Sequence, residues 1–364
     1  LSRNAVKILI LLLFTGWVAP ARAEPINLRK SLIGDQDWII DGTLDERYRT
    51  ASSGRTDQFY TDDLELDAQH SISHHHIRQG TVFIQEMLET PPDQSGPAST
   101  ACRLGEAYAT YRIPVLTETD STAYIKAGQF PIAAGLTAIY DTHLQIMQNL
   151  YDEGLGVRID SGLGVDGRFN GVLDYKATAT TGTGPDRSSP NLRVIAFRLG
   201  RLFATNVGTF DIGGSLVSGS LPVTRINPNT GYSPSLPPSG YVDPVYGYVQ
   251  KTRMIGDGQW TYKQYTLRGE AMSGADGQYT VYGYFGEGEY RFAPGLAVVG
   301  MRKFWSYGIA DSSSSDNAGG INIDYGNNFS IRGLYEERLD TPSNALPSKS
   351  QLRHLFTIQA LARF

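Results

Sequence analysis

The sequence predicts an all-β protein: a transmembrane antiparallel β-barrel of about sixteen strands. Three observations carry that expectation. Segments of about ten residues alternate apolar and polar side chains in period two, as a strand does when one face meets lipid and the other meets water. Short turns alternate with long polar connections along the chain, the arrangement of barrels whose hairpins are tight at one end and open at the other. Beyond residue 23 no run approaches the roughly 20 apolar residues of a membrane helix.

A mean hydropathy of −0.27 fits this class, because a strand lining a wet lumen needs an apolar residue only at every second position. The 21 tyrosines and 40 glycines suit an interfacial aromatic girdle and many turns.

The first residues carry Arg3 and Lys7, then the apolar run Ile8 to Phe14, then Ala21-Arg22-Ala23. That order is a cleavable secretory signal over 1–23, with the barrel over 24–364. Removing Arg3, Lys7 and Arg22 takes the formal net charge from −5 to −8. An acidic chain with dispersed Lys and Arg is not built for a phosphate backbone, so nucleic acid is excluded as a partner. Cys102, the only cysteine, falls in a predicted loop and allows neither a disulfide nor a cysteine-based metal site.

The first predicted strand covers 37–49. A loop rich in acids follows, with Asp57, Asp62, Asp63, Glu65 and Asp67, and leads to strands at 69–78 and 80–89. Strands at 103–113 and 122–130 precede the third loop, 131–154, which reads PIAAGLTAIYDTHLQIMQNLYDEG. That loop is too apolar to be solvated freely and must fold onto something. Next come strands at 155–163, 168–180, 191–203 and 206–218, then a loop at 219–243 punctuated by five prolines. Strands at 244–255, 259–273, 278–292 and 296–307 follow, the last two flanking the turn Ala293-Pro294-Gly295. The loop 308–318 is rich in Ser and Asp. It precedes strands at 319–326 and 328–338, joined at Gly326-Asn327-Asn328, and a Pro- and Ser-rich loop at 340–350.

The final segment, 351–364, is the clearest. Leu352, Phe356, Ile358, Ala360, Ala362 and Phe364 share one parity, while Arg353, Thr357, Gln359 and Arg363 share the other. Ending on such a strand with a terminal Phe resembles the closing strand and assembly signal of bacterial outer-membrane barrels. The resemblance sharpens at Ala127-Gly128-Gln129-Phe130-Pro131 with Gly135, at 193–202, at Leu267-Arg268-Gly269-Glu270 and at 283–290. Together these are similar to the phosphate-selective (O/P type) porin family and its relatives. The resemblance implies a sixteen-stranded outer-membrane barrel, an inward-folded third extracellular loop that narrows the pore, and a homotrimer among lipid and lipopolysaccharide.

Parity assigns the lumen. With Ile195, Phe197 and Leu199 outward, Arg198 points in; with Tyr265 and Leu267 outward, Arg268 and Glu270 point in; with Tyr284, Tyr290 and Phe292 outward, Glu287, Glu289 and Arg291 point in. The same counting turns Arg112, Lys126, Arg158, Lys176, Arg332 and Arg353 inward, since an Arg or Lys facing lipid at midplane costs about 2–4 kcal/mol. Tyr140, Asp141, His143 and Gln145 are the expected constriction-loop residues. A lumen holding both Arg and Glu creates a transverse field that favours small, polar, hydrated solutes, although any one of these charges could instead pair within the wall.

Loop 131–154 has no Lys or Arg but holds Asp141, Asp152 and Glu153, which argues for weak or cation-leaning selectivity over phosphate uptake. The run His74-His75-His76 with His70 offers imidazoles, yet adjacent strand residues face opposite sides and no carboxylate partner is set by spacing, so no metal is expected. His70 with Ser71 or Ser73, and Thr142 with His143, lack a positioned base and orienter, so no catalysis is expected. No CxxCH haem motif exists and no cofactor is expected. The leading expectation is passive diffusion of small polar or ionic solutes. An export conduit for a secreted polysaccharide and a sheath around a partner protein are the alternatives.

Overall fold

The structure, a computed structural model, describes residues 38–51, 58–74, 77–89, 101–113, 121–138, 146–147, 149–184, 193–222, 248–308, 313–326, 328–341 and 351–364. The predicted signal segment, His75 and His76, and 223–247 of the Pro-rich stretch lie outside the described residues. So do Tyr140, Asp141, His143 and Gln145.

Sixteen strands form one closed antiparallel barrel. They are β1 (Trp38–Ala51), β2 (Gln58–His74), β3 (Ile77–Glu89), β4 (Ala101–Arg112), β5 (Thr122–Pro131), β6 (Ile159–Phe169), β7 (Leu173–Thr180), β8 (Val194–Thr205), β9 (Gly208–Pro222), β10 (Tyr248–Tyr262), β11 (Tyr265–Asp276), β12 (Tyr279–Ala293), β13 (Leu296–Ser306), β14 (Ser313–Tyr325), β15 (Phe329–Thr341) and β16 (Gln351–Arg363). Each pairs with its chain neighbours. β1 closes on β16 from Thr43 opposite Arg363 to Ala51 opposite Leu355, and backbone bonds between Gly42 and Phe364 extend that seam. Closure leaves no open edge, the condition for spanning a bilayer with strands.

The period-two pattern decides what each face meets. On β8, Ile195 is 68% exposed while Arg198 is 2% exposed, because the outer face of the barrel is apolar and the inner face is packed. Outward aromatics form two bands. Near the short turns Phe203 stacks on Phe210 at 5.3 Å and Tyr265 on Tyr290 at 4.8 Å, with Trp260 and Tyr262 beside them. Toward the other end of the barrel, Tyr282 and Tyr284 flank Phe304. Two aromatic bands bounding an apolar outer wall are the lipid-facing belt of a transmembrane barrel.

The short turns need unusual backbone. Gly295 (φ 72°) and Gly326 (φ 67°) carry the two turns expected from sequence, and Asn170 (φ 49°) with Gly171 (φ 65°) carries the one between β6 and β7.

Four expectations are corrected. Asp62 to Asp67 of the acid-rich stretch read as a first loop belong to β2, whereas Asp57 lies outside the described residues: Glu65 and Asp67 lie on the inward face while Leu64 and Leu66 alternate with them. Positions 313–318 belong to β14, which is polar on both faces there, as a strand becomes where it rises clear of lipid. The break placed at 163–168 falls inside β6, where Gly162, Gly164 and Gly167 weakened the strand signal. Cys102 sits in β4 opposite Leu88, not in a loop.

Candidate functional site

The chain between β5 and β6 turns into the barrel and packs on its inner wall. Ile132, Ala133, Ala134, Leu136, Met147, Leu150 and Leu155 join one buried cluster with Ile255, Met272, Val281, Phe285 and Trp305, all inward positions of β10 to β13. The apolar loop thereby covers an apolar stretch of wall, which explains a composition that water would not tolerate.

Polar side chains fix the backbone of this loop. The Glu270 carboxylate accepts the Leu136 N–H at 2.7 Å and the Asn149 amide at 3.4 Å. The Gly135 N–H donates to Ser215 Oγ at 3.0 Å, and Lys176 Nζ donates to the Ala138 carbonyl. Gly135 has φ +55°, and a Cβ there would overlap the Glu270 carboxylate, so only glycine fits. Two separate sequence signatures, the one ending at Gly135 and the one ending at Glu270, meet at this point.

The far half of the loop forms a short helical turn, α1 (Tyr151–Gly154). Its terminal carbonyls carry partial negative charge and lack intrahelical donors. Arg253 Nε meets Gly154 O at 2.9 Å and Lys251 Nζ meets Leu155 O at 3.1 Å. Lys303 Nζ pairs with Glu153 at 2.8 Å and Asp316 at 3.4 Å, all three side chains buried. Lys251, Arg253 and Lys303 were missed from the sequence, although their parity on β10 and β13 would have found them. Glu153, one of the loop acids that argued for cation-leaning selectivity, is held in this clamp.

The strand register puts Arg112, Lys126, Lys176, Arg198, Arg268, Glu270, Glu287, Glu289, Arg291, Arg332 and Arg353 on the inward face; Arg158 precedes β6, its carbonyl accepting the Ile132 N–H. They do different things there. Arg198 makes a bidentate pair with Asp257 (2.5 and 3.2 Å), its guanidinium lying over Gly200 and Gly213; it is a wall strut. Lys126 sits 4.5 Å above the Tyr108 ring and 3.7 Å from Asp166. Arg268 binds Glu287 and Gln259. Arg291 lies near Glu289 and Asp324 at 3.4 and 3.8 Å.

Beside the clamped loop a lumen cavity of about 530 Å³ remains. Asp41, Glu65, Asp67, Glu287 and Glu289 line it, with Arg268, Arg332 and Arg363. Toward the short turns a second space of about 770 Å³ is lined by Arg291, Arg332, Arg363 and Asp324.

His70 faces outward between Ala68 and Ile72, whereas Ser71 faces inward, so the two cannot act as a pair. Among the described residues no group of three His, Cys, Asp or Glu side chains is placed to hold a metal ion.

Comparison with known proteins follows this geometry. No protein-family model matches the chain, and no curated protein matches it. Solved structures do. An anion-selective porin from Comamonas acidovorans superimposes with TM-score 0.63 at 8% identity, over 90% of this chain and 100% of that one. OmpF of Salmonella typhi, in complex with daunomycin, gives 0.59 at 13% identity over 90% and 98%. OmpT of Vibrio cholerae, an outer membrane protein in a trimer form, gives 0.60 at 10% identity over 90% and 99%. The closed sixteen-stranded barrel therefore shares the fold of these porins.

Proposed function

We propose that this chain is an outer-membrane channel through which small polar or ionic solutes diffuse passively, with weak or cation-leaning selectivity. One observation carries the reading: a lumen space of about 530 Å³ remains beside an inward loop that is clamped to the wall, and five carboxylates against three guanidiniums line it. Opposed charges in a narrow aqueous gap orient and admit hydrated solutes. The excess of carboxylates favours cations over phosphate, for which a constriction would need surplus donors. Of the inward charges, Arg268, Glu287, Glu289 and Arg332 line this gap, while Glu270 and Lys176 hold the loop.

The aromatic bands and closed barrel support a place in the outer membrane of a Gram-negative cell, in contact with lipid and lipopolysaccharide, reached by way of the signal at 1–23. Trimeric relatives in fold support a homotrimer. Kinship with the O/P-type porins rests on the sequence stretches at 127–135, 193–202, 267–270 and 283–290. A sheath needs an empty lumen, and the loop occupying this one weighs against it.

Swelling of liposomes containing the full chain tests the proposal. A pentose should drive swelling and a trisaccharide should not; a folded barrel that passes neither would refute the channel.

A further inference from the structure

The outer wall of the barrel carries a run of glycines on the face that meets lipid. Gly269 lies opposite Gly286, and Gly288 lies opposite Gly300, which lies opposite Gly319. Glycine weakens a strand interior, and it is kept there for a bulge, a left-handed backbone, a close backbone approach or a ligand. None of these five has a positive φ, and no register shift falls among them. A Cβ added at Gly286 or Gly300 would meet nothing within 4 Å, and one at Gly269 or Gly319 would meet only a strand carbonyl, at 3.7 or 3.9 Å. The internal reasons for glycine are absent, and the five residues floor a recess one side chain deep. Exposed Leu267 and Tyr335 stand at its sides, opposite Gly288 and Gly319, while Tyr290, Val298 and Ile321 close it toward the short turns.

Arg302 closes the other end, two residues from Gly300 on the same face and opposite Asn317, where β14 becomes polar on both faces. Its exposed guanidinium donates from Nε to the Tyr284 hydroxyl at 3.1 Å and has no carboxylate partner among the described residues. The register continues outward from Asn317 to Glu337 and His354. Glu337 is engaged by the Tyr335 hydroxyl at 3.4 Å and by His354 at 3.6 Å, and it stands two strands from Arg302, about 10 Å at the backbone. An arginine on the lipid side is tolerated best near the headgroups, and a phosphate there is matched by its fork of N–H donors.

We infer, resting on the outer-membrane reading above, that this face of β11 to β15 is a binding site for a phosphate-bearing lipid of the outer leaflet with several acyl chains. The phosphate meets the Arg302 guanidinium, the Tyr284 hydroxyl proton and the Asn317 amide. The acyl chains lie over the glycine floor. From Leu267 to Tyr335 the recess spans four strand spacings, about 19 Å, and from Arg302 to Val298 it runs about 13 Å along the strand. It therefore takes acyl chains side by side. Charge selects the occupant: a neutral lipid would leave the guanidinium without an anion where water is scarce.

Native mass spectrometry of the full chain in detergent provides the test, with hexa-acylated lipid A and its dephosphorylated form as probes. Lipid A should occupy one site per chain at a concentration about tenfold or more below that needed by the dephosphorylated form, which lacks the charge-assisted bonds. Arg302→Gln should abolish that difference. Gly300→Leu fills the floor and should weaken both lipids; should it not assemble, Gly286→Leu fills the same floor. Arg201→Gln, exposed on β8 beside Phe203 of the other aromatic band, should leave both unchanged, and excess inorganic phosphate should not displace the lipid. Equal retention of the two lipids, unchanged discrimination in Arg302→Gln, undiminished binding in the glycine variants or displacement by inorganic phosphate would each overturn this inference and leave the channel standing. Selective lipid retention by a barrel that carries no current would refute the channel and leave this site in place.

Discussion

Gly135 and Glu270 decide how the third loop meets the wall. Gly135→Ala places a Cβ in a left-handed backbone position against a carboxylate, and should cost more than about 1 kcal/mol, read as a lower unfolding midpoint in urea. Glu270→Leu removes the acceptor of the buried Leu136 N–H, a loss of about 1–3 kcal/mol. The loosened loop should raise current noise and mean conductance; an unchanged single-channel record would mean that the loop does not bound the pore. Lys303→Met removes the ammonium that buried Glu153 and Asp316 share, leaving Asp316 with Arg338, and should destabilise by about 3 kcal/mol, measurable in the same urea titration. Parity made the inward direction of Glu270 legible in the sequence. It could not show that Glu270 is a loop anchor, because the partner N–H belongs to a residue 134 positions away.

Strands carry their message in alternation, and they are hardest to read where the alternation stops. β8 alternates over residues 194–200 and β16 over residues 356–362, so their faces are plain in the sequence there. β2 hides because its acids look like loop residues, although Leu64, Leu66 and Ala68 between them keep the period. β14 hides because Ser and Asp occupy both faces over its first turns of pleat. The distinction between faces predicts a contrast within one sheet. Leu216, on the outer face of β9 and 56% exposed, should lose about 2–4 kcal/mol on Leu216→Arg if it sits near midplane. Thr261→Arg, on the inward face of β10, should refold into lipid vesicles with nearly unchanged stability. Equal losses at both positions would show that the face assignment is wrong.

At the scale of the whole molecule, the barrel class, strand number and inward third loop were legible from period, turn spacing and the apolar composition of one loop. The charge arrangement behind the proposed selectivity was legible only in part: Glu153 is bound to Lys303, and Glu65 and Asp67 line the lumen from a strand rather than a loop. The net balance nonetheless points the same way, since carboxylates outnumber guanidiniums in the cavity. The measurement that bears most directly on this account is the reversal potential of single channels formed by the full chain in a KCl gradient. The account predicts steady ohmic steps and a potential displaced modestly toward the potassium equilibrium value. A strong displacement toward chloride would contradict it, because the guanidiniums of Arg268, Arg332 and Arg363 would then outweigh the carboxylates that face them.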